Sequence, residues 1–221
     1  MIAWLSGLIY PAKCVFCGKL LSKEETDLCT ACRIELPYVE QQTKRVPFSE
    51  ASVAALYYEG VVRDSVLRYK FHGRQTYAAA YGRLVAMAVA QQALEVDLVT
   101  HVPVSRKRHR QRGYDQAERL SRAVAQELGL KWQRLLRKIR DNPAQSGISA
   151  PEHRRANVLG VYRVLHPEAV QGKRILIIDD VMTTGATLSE CCRTLQDAGA
   201  LQVSCAALAC ARRDRKQQVR T

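Results

Sequence analysis

The stretch from residue 175 to residue 187 constrains the fold of this chain more than any other. It reads Ile-Leu-Ile-Ile-Asp-Asp-Val-Met-Thr-Thr-Gly-Ala-Thr, an aliphatic run that ends in two carboxylates and a turn of hydroxyls and glycine. Four consecutive aliphatic residues are typical of a strand buried on both faces of a parallel sheet. Apolar residues follow at helical spacing, at Leu188, Cys191, Cys192, Leu195 and Ala198. The pattern predicts an α/β fold, with this strand-to-helix junction at the carboxyl edge of the sheet, where ligands bind.

The turn after the two carboxylates has the residue types of an anion site. Free backbone N–H groups at the start of a helix and the positive end of the helix dipole favour a phosphate group, and hydroxyls add donors. Glycine lets the backbone approach the phosphate closely. The two acids would accept from vicinal ribose hydroxyls or act as outer ligands of Mg²⁺. The candidate binding residues are Asp179, Asp180, Thr183, Thr184, Gly185, Ala186 and Thr187, and the two acids are also the catalytic candidates.

This stretch resembles the phosphoribosyl-diphosphate (PRPP) motif of the type I phosphoribosyltransferases, in which aliphatic residues precede two acids, two further residues and a Thr-Thr/Ser-Gly-x-Thr turn. The resemblance implies a Rossmann-like, mainly parallel sheet flanked by helices. A buried strand before a well-capped helix is the alternative, and Asp-Asp pairs also occur in receiver domains and metal phosphatases. Neither alternative explains the Thr-Thr-Gly-Ala-Thr turn.

Length and charge restrict the remaining possibilities. The 221 residues suffice for one domain of roughly 150–190 residues with a small appendage, and the 47% hydrophobic content supports a sizeable core. The formal net charge of +13 and the isoelectric point near 9.6 favour an anionic partner. That partner is either a multiply phosphorylated small molecule or nucleic acid, and charge alone does not choose between them.

Four cysteines near the N-terminus form two C-x2-C pairs, with eleven residues between the pairs. Four thiolates match the tetrahedral coordination of structural Zn²⁺, and a segment of about 35 residues has too little core to fold without such a staple. The predicted ligands are Cys14, Cys17, Cys29 and Cys32. Disulfide bonds are the alternative. The module would serve either as a docking or nucleic-acid surface or as a folded lid on the main domain.

Composition divides the chain into four predicted segments: the four-cysteine zinc module at 1–36, a polar linker at 37–50, the phosphoribosyltransferase-type domain at 51–211 and a basic tail at 212–221. The apolar start of the chain has no basic leader and is far shorter than a membrane-spanning helix, and no other window approaches one. Thiols grouped for metal are typical of a reducing compartment. We therefore expect a cytoplasmic protein without a membrane span.

Hydrophobic periodicity predicts the elements around the central junction. Strands are predicted at 52–58, from 96, at 135–139, 161–164 and 203–209, and helices at 60–73, 77–94 and 117–128, with α/β alternation from residue 96 onward. The cysteines outside the module lack metal spacing, which indicates buried thiols. They are Cys191, Cys192, Cys205 and Cys210.

A second anion loop is predicted where the strand that begins at residue 96 ends. Its exit carries proline and a small hydroxyl and leads into the basic run at 106–112, so backbone amides and arginine forks are available to neutralise a departing pyrophosphate. The candidate pyrophosphate-loop residues are Pro103, Val104, Ser105 and Arg106. A solvated charged loop is the alternative for the basic run. No role is assigned to His101 or His109.

The turn-rich segment at 141–147 leads into a short basic piece after Pro151. A loop this long inside a compact domain is either functional or disordered. Type I phosphoribosyltransferases carry a flexible loop at this position, which closes over PRPP and excludes water. By this resemblance, the candidates for reaching the pyrophosphate on closure are Arg112, Arg154 and Arg155.

Landmarks outside the PRPP motif resemble those of the competence protein F (ComF, GntX-like) family. They are Lys70-Phe71-His72-Gly73, Val102-Pro103-Val104, Arg112-Gly113-Tyr114-Asp115-Gln116 and Gln145-Ser-Gly-Ile-Ser followed by Arg154-Arg155-Ala-Asn157. The family joins an N-terminal four-cysteine module to a phosphoribosyltransferase domain, so the resemblance covers the whole chain. Tyr114-Asp115 replaces the family's usual Phe-Asn, and the spacing from Gln145 to Asn157 is a residue longer. These departures concern base or partner specificity.

The resemblance implies one of two functions. The first is Mg²⁺-dependent transfer of a phosphoribosyl group from PRPP with release of pyrophosphate. The alternative is a non-catalytic competence protein that acts in DNA uptake by binding single-stranded DNA, through basic loops and tail, or proteins of the competence machinery. Aromatic residues are only 6% of the chain, so few can stack on bases. The candidates are Trp4, Phe16, Tyr69, Phe71 and Tyr114.

Overall fold

The computed structural model describes residues 12–40, 43, 45–140 and 160–212. Its helices are α1 (Thr30–Glu35), α2 (Gly60–Phe71), α3 (Tyr77–Ala90), α4 (Arg106–Arg112), α5 (Gln116–Glu127), α6 (Pro167–Val170) and α7 (Ala186–Asp197). Its strands are β1 (Ser52–Tyr57), β2 (Leu98–His101), β3 (Lys131–Trp132), β4 (Leu136–Lys138), β5 (Tyr162–Val164), β6 (Arg174–Met182) and β7 (Gln202–Cys210). None of the described helices has both the length and the apolar character needed to cross a bilayer.

Five strands form one parallel sheet in the order β1-β7-β6-β2-β3. The central strand is β6, and its four consecutive aliphatic residues, 175–178, are at most 1% exposed. This burial confirms the strand predicted from the aliphatic run. The first strand, β1, pairs with β7 at one edge of the same sheet, and two helices, α2 and α3, separate it from β2, as the strand and helices predicted at 52–94 require.

Helices cover both faces of the sheet. Along β6, Leu176 and Ile178 face the apolar cluster that contains α2, α3 and α5, whereas Ile175 and Ile177 face the cluster that contains α7. Successive side chains of a strand point to opposite faces, which is why a strand buried on both sides is apolar at every position. The four cysteines at 191, 192, 205 and 210 lie within these layers at 6% exposure or less, as predicted.

Three local features differ from the prediction. The basic run at 106–112 is a helix, α4, capped by the Ser105 hydroxyl at its start and by Gly113 in the left-handed region at its end. The alternative of a solvated charged loop is therefore wrong about the loop, whereas residues 106–111 are exposed to solvent. The strands predicted near 135–139 and 161–164 exist, but they form a separate antiparallel pair, β4 and β5. The two-residue edge strand β3 was not predicted, because so short a segment carries no periodicity.

The cysteine module packs directly on α2 and α3. Phe16 is 1% exposed, and its ring centroid lies 5.7 Å from that of Tyr81. The hydroxyl of Ser65 donates to the carbonyl oxygen of Val15, and Nε of Arg83 donates to Asp27 Oδ2 over 2.9 Å. The module therefore shares the core of the main domain, which matches the folded-lid alternative.

Candidate functional site at the carboxyl edge of the sheet

The two predicted anion loops leave the sheet side by side. Strands β2 and β6 are adjacent and parallel, with His101 opposite Ile178, and the amide of Val102 donates to the Ile178 carbonyl over 2.9 Å. Residues 103–105 follow β2, and residues 183–185 follow β6, at the same edge. Helix α5, which follows β2 after the short helix α4, and helix α7, which follows β6, lie on opposite faces of the sheet. This edge is therefore a topological switch point, the place where open α/β sheets bind ligands.

Asp180 is buried at 8% exposure and is paired with Lys70 from the end of α2. The distance from Lys70 Nζ to Asp180 Oδ1 is 2.8 Å. Burial acts to lower the pKa of Lys70, but the charge of Asp180 and its hydrogen bond outweigh burial, and the pKa is raised. The pair fixes the orientation of Asp180. Sequence analysis missed this role of Lys70, since nothing local links it to a carboxylate so distant in the chain.

Asp179 lies on the other side of the strand and is half-buried. Its Oδ1 accepts the backbone amide of Asp180 over 2.8 Å. Burial and the negative charge of Asp180 raise the pKa of Asp179 to about 8, because both disfavour its ionised form. Among the described residues, Asp179 has no lysine within ion-pair distance, so its carboxyl remains open to a ligand, which it can contact as a donor as well as an acceptor while it is protonated.

The turn from residue 183 to residue 187 leads into helix α7, whose N-cap is Gly185, and the φ of 74° at this position favours glycine. A Cβ atom at Gly185 would lie 3.1 Å from Cγ2 of Val46. The linker residue Val46, 3% exposed, thus packs against the turn from outside. Thr183 and Thr184 are exposed, which leaves their hydroxyls accessible. The glycine is required by the backbone conformation and by Val46, in addition to any phosphate.

The pyrophosphate-loop candidates are held by Asp115, the N-cap of α5. Its Oδ2 accepts the amide of Val104, and its Oδ1 accepts the amide of Glu118, each over 3.1 Å. Ser105 is 6% exposed and caps α4. One buried carboxylate therefore ties the loop after β2 to the start of the next helix.

Arg112, at the end of α4, lies against Phe71, the last residue of α2. Its Nη1 donates to Gln116 Oε1 over 2.7 Å, and its guanidinium carbon lies 4.9 Å from the ring centroid of Phe71. Burial lowers the pKa of Arg112, and the charge of Asp180 partly opposes this shift. Arg112 thus stands near the Asp180 carboxylate. Arg154 and Arg155, the other two mobile-loop candidates, lie outside the described residues, as does the tail beyond residue 212.

A cavity of about 760 Å³ opens between the β4–β5 pair and the loop after β2. Pro103, Val104 and Arg106 of the pyrophosphate-loop candidates line it, together with His101 and Asp115. Its cationic lining residues are Arg106, Arg110, Arg134, Arg137, Lys138 and Arg140. Such a lining favours anionic ligands.

The proposed stacking aromatics are mostly inaccessible. Phe16, Tyr69 and Tyr114 are at most 4% exposed, so they are part of the core and the expectation that they stack on bases is wrong. Phe71 is 59% exposed but contacts the Arg112 guanidinium, and Trp4 lies outside the described residues. Nucleic acid would therefore find few stacking surfaces in the described part of the chain.

The four module cysteines converge on one point. Their sulfur atoms all lie within 4.8 Å of one another, and those of Cys17 and Cys29 are 3.6 Å apart. Thiolates bound at about 2.3 Å to one tetrahedral ion would be about 3.8 Å apart, so the group fits Zn²⁺. Burial acts to raise the pKa of Cys14, but amide hydrogen bonds led by that of Cys17 outweigh burial and lower the pKa to about 7. Burial raises the pKa of Cys17 and that of Cys32, so zinc binding would release protons from these thiols.

Known families match both parts of the chain. The phosphoribosyl transferase domain matches residues 114–221, and the double zinc ribbon domain matches residues 5–44. Among solved structures, glutamine PRPP amidotransferase from B. subtilis aligns with 64% of this chain at a TM-score of 0.45 and 20% identity, and this chain spans 30% of that protein. The two domain matches and the parallel sheet flanked by helices identify the fold as that of a type I phosphoribosyltransferase preceded by a four-cysteine zinc ribbon.

Relatives align over most of the chain. The DNA utilization protein YhgH of Salmonella typhimurium is 31% identical over 201 residues, which cover 86% of each protein. Competence protein F of Haemophilus influenzae is 25% identical over 86% of this chain and 93% of its own length. Competence protein ComFC of Streptococcus pneumoniae is 30% identical over 66% of this chain and 62% of its own length. With these relatives and both domain matches, the chain belongs to the ComF family of the phosphoribosyltransferase superfamily.

Proposed function

We propose that this protein binds Mg²⁺–PRPP at the carboxyl edge of its sheet and transfers the phosphoribosyl group to an acceptor, with release of pyrophosphate. The observation that supports this most is the meeting of two anion loops, residues 103–106 and residues 183–187, at the β2–β6 switch point. Two acids lie between them, at the end of β6. PRPP has a phosphate at one end, a ribose in the middle and a pyrophosphate at the other end, so its groups follow the same order as the loop, the two acids and the second loop.

Each part of the edge has a role in this proposal. The backbone N–H groups and hydroxyls of residues 183–187 bind the 5-phosphate, and Asp179 accepts from the ribose hydroxyls. Asp180, held by Lys70, accepts a second hydroxyl. The loop at 103–106 and Arg112 bind the pyrophosphate. Bound Mg²⁺ would supply further positive charge to the pyrophosphate oxygens, with Asp179 and Asp180 as the oxygen donors at hand.

The reaction is a displacement at the anomeric carbon of the ribose. The bond from that carbon to the pyrophosphate oxygen breaks, and its electron pair leaves with pyrophosphate. An incoming nucleophile then forms the new bond. The protein lowers the barrier by neutralising the departing charge with the amides of Ser105 and Arg106 and with Arg112, and by stabilising the electron-poor ribose with the two acids.

Calorimetry with Mg²⁺–PRPP, ribose 5-phosphate and free pyrophosphate tests the binding step. PRPP and ribose 5-phosphate should both bind and stabilise the fold, and free pyrophosphate should do so less.

Asp180→Asn should weaken PRPP binding by about 1–3 kcal/mol, the range for a hydrogen bond to a charged group. Absence of heat and of any thermal shift with millimolar Mg²⁺–PRPP would contradict the proposal.

Gly185→Val tests the turn itself, because the new side chain would meet Val46 and strain the backbone. It should abolish PRPP binding. The matched control is Gly172→Val, at a glycine with a similar φ of 69° and no atom within 4 Å of its Cβ position. The control should lose stability and retain PRPP binding. Equal loss of PRPP binding in both variants would assign the effect to general destabilisation.

Release of pyrophosphate from Mg²⁺–PRPP across a panel of nucleobases and amines tests the transfer step. Turnover with one class of acceptor would establish the enzyme and identify its nucleophile. Binding of PRPP without release of pyrophosphate under any of these conditions would overturn the catalytic part of the proposal and leave a PRPP-binding protein.

A second candidate function is binding of single-stranded DNA, together with competence proteins, in a cytoplasmic step of DNA uptake. Two observations favour it: the cationic cavity beside β4 and β5, and relatives named for DNA utilization and competence. Since few aromatics of the described residues are exposed, binding should be electrostatic, weak in sequence preference and steeply dependent on salt.

Removal of residues 213–221 keeps the Arg212–Glu59 ion pair and should reduce the magnitude of the salt slope. Arg137→Gln combined with Arg140→Gln should reduce it further, because both residues line the cavity. An affinity for single strands that does not change with salt, or a strong preference for one sequence, would contradict this mode of binding.

A further inference from the structure

A second group of metal-ligating side chains lies at the base of the cationic cavity. His101, the last residue of β2, is 1% exposed. Its Nε2 lies 3.7 Å from Oδ2 of Asp115 and 4.0 Å from Oε2 of Glu118. Neither ring nitrogen has a hydrogen-bond partner in the described part of the chain. A buried polar group without a partner costs free energy, so this imidazole requires an explanation.

The spacing of the three side chains is that of a metal site. One ligand atom from each of His101, Asp115 and Glu118 lies within 4.8 Å of the others. Ligands at about 2.0–2.2 Å from one ion are separated by about 3–4 Å, so the two distances from His101 are already in range or close to it. We propose that His101, Asp115 and Glu118 bind a divalent transition-metal ion, with an open coordination position that faces the cavity.

Neighbouring groups orient the three ligands. The His101 ring is stacked on Trp132, with centroids 5.7 Å apart and an interplanar angle of 15°. Asp115 is fixed by the amides of Val104 and Glu118. Such outer partners hold ligands in place at metal sites. Burial lowers the pKa of His101, which favours the neutral imidazole that a metal binds.

Two arginines compete with the ion for Glu118. Oε1 of Glu118 accepts from Arg122 over 3.0 Å, and Oε2 is bound by Arg134. The Arg134 side chain is 51% exposed, so it can move into solvent when an ion takes its place. Removal of the Arg134 charge should therefore tighten metal binding. This direction would not be expected if the cluster were only an ion-pair network.

The donor set selects the class of ion. One imidazole and two carboxylates, without a thiolate, suit Mn²⁺, Co²⁺ or Zn²⁺ and differ from the four thiolates of the cysteine module. Asp115 also holds the amide of Val104, so the ion would lie directly behind the loop at 103–106. The open position would then be available to an anionic oxygen in the cavity.

Titration of Co²⁺ into the zinc-loaded full-length protein, followed by visible absorbance, tests the site. The titration is made in the Asp180→Asn variant, in which Co²⁺ should bind less at Asp179 and Asp180. One equivalent of Co²⁺ should bind and give ligand-field bands without thiolate-to-cobalt charge transfer. His101→Gln should weaken this binding by more than about 10-fold. Loss of a side chain that only orients a metal ligand already costs about 10- to 100-fold in metal affinity. His109→Gln, in the same cavity but outside the cluster, should leave it unchanged.

Two further variants keep the test decisive. Arg134→Gln should bind Co²⁺ more tightly than the parent protein. Glu118→Gln should bind Co²⁺ more weakly than the parent protein. If circular dichroism shows that His101→Gln does not fold, Glu118→Gln takes its place in the test. Absence of cobalt binding in the zinc-loaded protein, thiolate charge transfer in the bound spectrum, or equal affinities in the parent protein and the His101 and Glu118 variants would each overturn the proposal.

Discussion

The cysteine module and the carboxyl edge of the sheet are both built on short motifs, but they differ in the sequence separation of the residues that meet. The module's ligands all lie between Cys14 and Cys32. At the sheet edge, Lys70 pairs with Asp180, which lies 110 positions further along the chain (180 − 70). Spacing alone therefore predicts the first site completely, whereas the second depends on how the whole domain folds.

The two regions also differ in what holds them together. The buried residues of the module belong to the same apolar cluster as those of α2 and α3, but a segment this short has little core, so it relies on zinc as well. The sheet edge is supported by buried strands, and it places Lys70 close to two acids, Asp179 and Asp180. Metal loss should therefore unfold the module, while charge changes at the edge should alter stability and ligand affinity by smaller amounts.

Cys29→Ala should have the largest effect. Structural zinc contributes roughly 10–16 kcal/mol to folding in zinc-finger peptides, so loss of one thiolate should release the metal and unfold the module. Elemental analysis and thermal unfolding measure both consequences. Cys192→Ala, which removes a buried thiol outside the module, should keep one equivalent of zinc. Less than about half an equivalent in the parent protein, or no loss in Cys29→Ala, would show that the module does not depend on a stoichiometric zinc ion.

Lys70→Met should have the next largest effect. The side chains of Lys70 and Asp180 are 18% and 11% exposed, and removing one partner of a buried pair costs about 3–5 kcal/mol because the other charge is left unpaired. We expect a loss near the lower end of this range, measured by urea unfolding. The double variant with Asp180→Asn should recover most of the loss. Equal instability of the single and double variants would show that packing, and not charge, explains the effect.

Asp179→Asn should have an effect that depends on pH. The folded-state pKa of Asp179 is raised from 3.8 to about 8, so the folded protein binds more protons than the unfolded chain between these values, and stability falls as pH rises through them. Asparagine cannot titrate, so the variant should gain stability over the parent protein as pH rises from about 4 to 8.

The expected gain at pH 8 is on the order of 1 kcal/mol, reduced by the partial exposure of Asp179, or about 2–4 °C in melting temperature. Asp64→Asn, at an exposed position of α2, is the control and should show no such gain. A melting-temperature difference between Asp179→Asn and the parent protein that stays constant with pH would contradict the raised pKa.

Arg83→Gln should have the smallest effect. Arg83 joins the main domain to Asp27 of the module through a partly exposed ion pair, which is worth up to about 1 kcal/mol. Zinc content should be unchanged, since the metal and not this contact holds the module. A loss of zinc in Arg83→Gln would show that the two regions depend on each other more than their packing indicates.

Most regular elements could be predicted because their signals are local. The buried strand β6 and the cysteines behind it are where the apolar pattern places them. The failures have a common physical origin. Helix α4 was considered as a loop because a run of charges has no apolar period, and Phe16, Tyr69 and Tyr114 were considered accessible because burial depends on contacts with distant segments.

By itself, the sequence determined the elements whose cause lies within a few residues: the paired cysteines, the aliphatic strand that ends in two acids, and the turn that requires glycine at position 185. Only the tertiary structure decided which charges meet. Lys70 with Asp180, Asp115 with the amide of Val104, and His101 with its two carboxylates are contacts between separate elements. Local periodicity reports which face of an element is buried, whereas the partner on that face depends on how the elements pack.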